Sequence, residues 1–396
     1  MGEGNHGVLH GIRVIDLGRF QAGPRCALML ARMGAEVIKV ERIGGEEARD
    51  QPPRVRGSSV YWVQYNSGKK SLAINLRREK GKEVLRRLVK VSDILVQNFQ
   101  PGVIDEMGFG YEVLKSLNRR IVMVNVSGYG QYGPYKDRPG FEAVGQAMSG
   151  LMSMTGFPDT PPVMTASSII DRITALQGCI GALGALWEAS KSGEGQAVDV
   201  CLADSGYGTT EIPIATFLEN GCVPARTGNR LSAFPCNSYQ AIDGWVFILA
   251  PSENTFSRCA ELVGHPEWSS DPTYTDPVAR WGHEPEIEGT INRWVAERTV
   301  AQVVAEGSKA QVPVAAINDI PTAASDPHLW ERELLVPVPD PKAGTMFVAG
   351  KLIKFSRSAV PVGPVPAPGE HNFEILSELL GYSDGEIDQI KAEGVI

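Results

Sequence analysis

The sequence predicts an α/β fold in which helices cover both faces of a mostly parallel sheet. Short β-branched runs alternate with apolar segments at helical spacing through the first half of the chain. The first of these groups closes a complete β-α-β unit, the connection that parallel strands require. The composition agrees: of 396 residues, 43% are hydrophobic and 21% charged, ordinary for a chain with a large core.

In order, residues 12–17 (IRVIDL) read as a strand, residues 26–33 (CALMLARM) as a helix, and residues 36–41 (EVIKVE) as the strand that closes the unit. Residues 71–76 (SLAINL) are a further strand. In residues 79–91 the apolar positions Val84, Leu85, Leu88 and Val91 share one helical face. Residues 93–96 and 121–127 return as strands, residues 169–190 form one long helix, and residues 197–202 (AVDVCL) add another strand. A Gly/Pro-containing linker is expected at 219–229, then a hairpin turning at Asp243-Gly244. Helices follow over 255–263, 286–297 and 301–306. A Pro/Val-rich linker at 335–341, a strand at 348–355, a Pro-rich connector at 360–368 and a C-terminal helix complete the chain. This divides it into a large domain at 1–218, a linker and small domain at 219–334, and a linker and return to the large domain at 335–396.

With 38 Lys and Arg against 46 Asp and Glu, the formal charge is -8. A general binder of nucleic acid or anionic membrane needs the opposite sign, so neither partner is expected, and an anionic ligand needs a local basic pocket. No apolar run approaches the roughly 20 residues of a membrane span. MGEGNHGVLHG has no apolar leader core, and His6 stands where a myristoylation signal at Gly2 wants Ser or Thr. The six cysteines are scattered, without a C-x-x-C pair or clustered histidine. That argues against a metal site or disulfide framework and for a reducing, cytoplasmic setting.

Gly128 to Gly133 (GYGQYG) spells G-x-G-x-x-G after a strand. Pro134 and Pro139 delay any helix to about Phe141, so the segment reads as an ordinary loop. The glycine spacing of Gly18 to Gly23 is also wrong for dinucleotide binding, and the histidines fit neither hydrolase nor zinc-protease motifs. Asp171 opens the long helix and admits two readings. It complements the helix dipole, or it serves as a nucleophile on an activated acyl group. Gly178, Gly181 and Gly184 on that helix suggest close approach by another backbone or a ligand. Arg42, Lys69, Lys70, Arg77, Lys136 and Arg138 lie beside strand ends, a place that suits either service to one phosphate-rich ligand or plain exposure to solvent.

The ordered series LHGIRVIDLGRFQAGPRCALMLARMGAEVIKVER, YNSGKKSLAINL, VQNFQPGVIDEMGFGYEVL, GYGQYGPYKDRPGFEAVGQAMSGLMSMTG, SGEGQAVDVCLADS and GEHNFEIL resembles the family III CoA-transferases. The resemblance spans nearly the whole chain. It implies a Rossmann-like large domain, a smaller α+β domain and an interlocked homodimer. It also implies acyl-CoA and carboxylic acid substrates, with coenzyme A passing as substrate and product and no permanently bound cofactor. Asp171 matches the family nucleophile, Gln21 a glutamine beside the acyl-aspartyl intermediate, and Glu142 an acidic residue close to the reacting centre. Phe20, Ala22, Arg42, Ile74, Arg77, Asn98, Phe99, Arg138 and Leu202 match the CoA-binding positions.

Three departures narrow the activity. Phe141 occupies the position of the racemase histidine, and a phenyl ring carries no proton. SAFPCNSYQAIDG lacks the glycine-rich loop of formyl-CoA transferase, and Glu106 replaces an arginine that some members offer to CoA phosphate. The resulting expectation is CoA transfer between an acyl-CoA and a free acid, with an acyl-CoA racemase or isomerase as the alternative. A CoA-binding protein without catalysis is the remaining class. Arg226 and Asn229 either hold the second carboxylate of a succinate-like acid or form a polar linker turn.

Overall fold

Runs of consecutive branched residues become strands. The computed structural model, which describes residues 6–230 and 234–396, assembles six of them into one sheet. They are β1 (Arg13–Asp16), β2 (Glu36–Glu41), β3 (Lys70–Ala73), β4 (Ile94–Gln97), β5 (Val122–Ser127) and β6 (Ala197–Cys201). All neighbouring pairs are parallel, in the order β3-β2-β1-β4-β5-β6. This is the Rossmann order, in which the chain steps outward from β1, then returns to build the other half from β4. Every residue of β4 and β5 is buried, which is why their sequences are continuous rather than alternating in hydrophobicity.

The helices that position the site are α1 (Ala22–Arg32), α2 (Val60–Asn66), α3 (Glu79–Lys90), α4 (Glu142–Met148) and α5 (Ile169–Ser192). Val84, Leu85, Leu88 and Val89 of α3 seal one face of the sheet, together with Leu72 and Leu95. On the other face Cys26, Ala27 and Leu30 of α1 meet Ala175, Cys179 and Ala182 of α5 over Val96 and Val124. As read from the prolines, the Gly128 to Gly133 segment is a loop, and α4 starts at Glu142.

The chain forms two compact units. The larger, Met1–Met152, Met164–Val223 and Trp330–Ile396, holds the parallel sheet; the smaller comprises Ser153–Val163 and Pro224–Leu329. In the smaller unit the strands Cys236–Ala241 and Gly244–Leu249 pair as a hairpin, and Val314–Ala316 joins as a third antiparallel strand. Gly244 already pairs with Ala241, so the turn residues are Ile242 and Asp243 rather than the expected Asp243-Gly244. Tyr239, Val246, Phe256, Ile287, Ile291 and Val295 form its core.

Two sequence expectations are corrected. Residues 335–341 are not a linker: Leu335–Asp340 is a strand, antiparallel to Gly344–Ala349, which replaces the strand expected at 348–355. Pro337 and Pro339 fit because a two-stranded ribbon leaves each strand with a free edge where an N–H is dispensable. Secondly, α5 is long and apolar enough to cross a membrane by length and composition. In this fold it is a core helix, with Ile170, Ala175, Gly178, Cys179, Ala182 and Ala185 buried against the sheet side. Gly2, and the Ser232-Ala233 part of the segment read as lacking a glycine-rich loop, lie outside the described residues.

The α5 glycines separate by position. A Cβ at Gly178 would meet Cys26 Sγ at 3.3 Å and Val124 Cγ1 at 3.4 Å, and one at Gly181 would lie 2.6 Å from Val198 Cγ1. These two let the helix lie close on β5, β6 and α1, so protein, not ligand, approaches them. At Gly184 a Cβ would meet nothing within 4 Å. Gly184→Ala is therefore expected to stabilise the fold by about 1 kcal/mol. Gly181→Ala should destabilise it by about 1–3 kcal/mol through overpacking. Paired denaturant titrations check both signs.

Candidate active site

In an open parallel sheet, ligands bind beyond the carboxyl ends of the strands, where the strand order reverses. The turns after β1, β4 and β5 line a cleft of about 630 Å³ at that place. Phe20, Gln21 and Ala22 enter it from the β1–α1 turn, Asn98 and Phe99 from the end of β4, and Arg138, Phe141 and Glu142 from beyond β5. Asp171 and Leu202 also line it. A second cleft of about 620 Å³ is lined by Arg42, Ile74, Arg77 and Phe99, so Phe99 borders both. The structure thus brings all twelve sequence-assigned site residues to two adjoining clefts at the carboxyl ends of the strands.

The β1–α1 turn is tightly specified. A Cβ on Gly18 would lie 2.8 Å from Asp16 Oδ1 and 2.9 Å from the carbonyl carbon of Gly23. Phe20 adopts φ 60°, a conformation that residues with a Cβ rarely hold. The turn is clamped from β4: Asn98 Oδ1 accepts from Arg19 N at 2.6 Å, and Asn98 Nδ2 donates to Arg19 O at 2.8 Å. Both polar atoms of the Asn98 side chain are thereby engaged with backbone. Gln21 follows, its Nε2 buried without a protein partner and so available as a donor.

Asp171 stands in the first turn of α5. Ser168, at the N-cap, makes no side-chain cap. Glu142 does this from outside the helix: Oε1 accepts from Ile170 N at 3.1 Å and Oε2 from Asp171 N at 2.6 Å. Gln146 Nε2 holds Glu142 Oε1 at 2.6 Å and is itself fixed by Thr165. Asp171's own carboxylate accepts no hydrogen bond among the described residues. Burial and then the nearby charge of Glu142 push its pKa up to about 7, against a smaller lowering by Arg172.

The cations divide. Arg42 is exposed, donates from Nε to Gly45 O at 2.7 Å, and lies 3.4 Å from Glu47. The Arg138 guanidinium sits 3.8 Å from the Tyr135 ring centroid. Lys136 lines the first cleft. Lys69 and Lys70 do not face a ligand, contrary to one sequence reading. Lys69 is fully buried at 2.7 Å from Asp16, and Lys70 opens β3 at its amino end, bound to Glu36 and Glu374. Lys69 precedes β3 and Lys70 opens it, so both lie at its amino end, away from the carboxyl ends of the strands where the clefts are. Arg19 and Tyr61 also line the cleft, and sequence reasoning missed both. Arg19's place directly after β1 was a usable signal; Tyr61 lay in a helix the periodicity did not reveal. In the smaller unit, Arg226 donates to Ser153 O and Phe157 O at 3.2 and 3.3 Å, and Asn229 to Ser238 Oγ at 2.9 Å.

Comparison with known proteins places residues 9–372 in a match to the model of CoA-transferase family III. A succinyl-CoA–D-citramalate CoA-transferase of Chloroflexus aurantiacus is 37% identical over 395 residues, covering 98% of each chain. A formyl-CoA:oxalate CoA-transferase of Streptomyces avermitilis is 33% identical, covering 98% of this chain and 99% of its own. The crystal structure of a CaiB/BaiF family protein from Brucella suis superposes with a TM-score of 0.83 at 29% identity, covering 94% of this chain and all of the other.

A carboxyl whose folded pKa is raised ionises at the expense of the fold. The stabilisation from keeping Asp171 neutral is complete below its unfolded value of about 3.8 and is lost as pH rises through about 7. Asp171→Asn should accordingly exceed the wild type in stability at pH 8 by about 2 kcal/mol. That difference should shrink toward zero near pH 4, as thermal melts across the range would show.

Proposed function

The chain belongs to CoA-transferase family III, and from that premise we propose that it moves CoA from an acyl-CoA to a free dicarboxylic acid of the succinate class. The observation that carries this reading is Asp171: a half-buried carboxylate that accepts no hydrogen bond among the described residues, lining a cleft beyond the sheet's switch point that also holds the unpartnered Gln21 donor. The relatives support the acid class, since they include a succinyl-CoA–D-citramalate CoA-transferase and the beta subunit of a succinyl-CoA–L-malate CoA-transferase.

The ionised Asp171 attacks the donor thioester carbonyl. The C–S bond breaks, giving an acyl-aspartyl anhydride and CoA thiolate. The thiolate attacks the aspartyl carbonyl, releasing the donor acid as carboxylate and leaving an aspartyl-CoA thioester. The acceptor carboxylate then attacks this thioester, forming a second anhydride and thiolate. Attack of the thiolate on the acceptor's acyl carbon releases the new acyl-CoA and restores Asp171. Gln21 Nε2 serves as the donor to carbonyl oxygens that gain charge in these steps. Glu142 is a positioning residue: it fixes the first turn of α5 and raises the basicity of the nucleophile. In the adjoining cleft Arg42 and Arg77 serve the CoA phosphates, and Phe20, Ala22, Ile74, Asn98, Phe99, Arg138 and Leu202 line the path of the cofactor-like substrate. Racemisation is disfavoured because Phe141, at the cleft, offers no proton carrier.

Homodimerisation belongs to the same proposal. Leu176, Ile180 and Trp187 form an exposed apolar row on α5, and Ile212, Phe217 and Leu218 are exposed in the helix Glu211–Asn220. Five of the six free cysteines are buried, which supports a reducing cytoplasmic setting.

Two measurements test these points. Incubation with succinyl-CoA followed by hydroxylamine is expected to add about 15 Da to the peptide carrying Asp171, the hydroxamate of a trapped acyl-enzyme. Asp171→Asn should give no adduct and lose turnover by about 10³-fold or more. An adduct on Glu142 would reassign the nucleophile. Light scattering should return twice the chain mass of 42.8 kDa, and a folded monomer would reject the dimer.

A further inference from the structure

Asp171 and Glu142 are two carboxyl groups lining one cleft, and an unconstrained pair of that kind shares a proton. A shared proton would occupy the lone pairs that a nucleophile needs. Attack by Asp171 therefore requires that Glu142 keep its oxygens turned away. The amides of Ile170 and Asp171 hold them from α5, and a third donor, Gln146 Nε2, holds them from α4.

Gln146 lies one turn beyond Glu142 on the same face of α4 and is fully buried. Gln21 and Gln97 are also buried, but Gln97 donates to the neutral Asn125 and Gln21 Nε2 has no protein partner. Among the buried glutamines of the described residues, Gln146 is the one that donates to a carboxylate. Its amide has a single satisfactory orientation. Oε1 accepts from Thr165 N at 3.0 Å, and the flipped amide would set oxygen against the Glu142 oxygen. Thr165 Oγ1 donates to Ser167 O at 2.8 Å, so it receives the second Nε2 proton, at 2.9 Å. One side chain thus fixes both the carboxylate that caps α5 and the segment that leads into it. Gly145 brings α4 close on α5, since a Cβ there would lie 3.1 Å from Ile170 Cγ2. Arg172 on α5 and Tyr61 and Tyr65 on α2 also interact electrostatically with Asp171, and none is hydrogen-bonded to Gln146.

We propose that Gln146 is a positioning residue for the nucleophile, its amide keeping Glu142 as the cap of α5 and away from the Asp171 carboxylate. This deepens the transferase reading and rests on it for the assignment of Asp171 as nucleophile. Gln146 touches no substrate; its effect reaches the reaction through Glu142. Without the amide donor the negative pair is less well stabilised, and it keeps its last proton to higher pH.

The test follows exchange of labelled CoA into succinyl-CoA across pH, a half-reaction that needs no acceptor acid. Wild-type kcat/KM should rise with pH through about 7, as Asp171 ionises. Gln146→Met keeps the side-chain length without the hydrogen bonds, and should move that limb up by about one pH unit. Its kcat should fall by about 10-fold or more, with KM for succinyl-CoA within about twofold, because the residues that line the clefts are unchanged. Gln146→Glu keeps the shape and adds a third carboxyl group, so its limb should move at least as far. Thr165→Ala removes the hydroxyl but leaves the backbone bond that orients the amide, and its limb should stay in place. A limb at the wild-type pH in both Gln146 variants, or an equal shift in Thr165→Ala, would overturn the proposal. Failure of the transferase reading shows separately, as no exchange by the wild type. Thermal melts then decide the positioning role, because the stability advantage of Asp171→Asn should level off above about pH 7. In the Gln146→Met background it should level off about one pH unit higher, and an unchanged plateau rejects the role.

Discussion

A buried ion pair at the carboxyl end of β1 holds the rest of the site in place. Asp16 and Lys69 are both fully buried and lie 2.7 Å apart. Although burial opposes its charge, Lys39 and Lys69 hold the Asp16 carboxyl below the usual range. Lys69 also donates to Pro24 O in the first turn of α1 and to Asn66 Oδ1 at the end of α2. Asp16 Oδ1 accepts from Gly18 N at 2.8 Å, while Lys39 binds Glu46 at 2.6 Å and the Gly18 carbonyl. One charged knot therefore joins β1, β2, α1 and α2 beneath the turn that carries Phe20 and Gln21. Losing one partner of such a pair costs about 3–5 kcal/mol, because the other is left buried and uncompensated.

Above that knot the site is assembled from different crossovers of the sheet. Gln21 comes from the β1–α1 turn, Asn98 and Phe99 from the end of β4, Glu142 from α4 and Asp171 from α5. The switch point makes this possible, because the crossovers on either side of β1 and β4 depart in opposite directions and leave a crevice between their ends. The strained φ of Phe20 persists because the surrounding bonds over-determine it: Asn98 grips Arg19 on both sides and Gly18 is pressed against Asp16.

The sheet was legible because its signals are local. IRVIDL, EVIKVE and IVMVNVS are buried runs between helix-spaced segments, and each became a strand within a residue or two of its expected place. The Leu335–Asp340 strand was hidden by Pro337 and Pro339, since local sequence does not say that a strand keeps a free edge. The proposed nucleophile and its neighbours were legible as motifs in series, not from spacing. Asp171 and Glu142 lie 29 positions apart, and nothing in either segment announces that one carboxylate caps the helix of the other. Lys69 failed for a related reason: a lysine next to a strand reads as a solvent-facing cation unless its distant partner, Asp16, is known.

On the proposed mechanism the Glu142 cap also governs how reactive its neighbour is. In an ordinary helix an aspartate of the first turn folds back onto free amides, and its lone pairs become committed to N–H groups. Here the amides of Ile170 and Asp171 are already occupied by a different carboxylate. The Asp171 oxygens are consequently left without donors, and their electron density stays directed at whatever carbonyl carbon enters the cleft. In the proposed reaction, a second acid in the role of a cap thus lets a helix-head aspartate act as the attacking group, by removing the hydrogen bonds that would otherwise have quieted it.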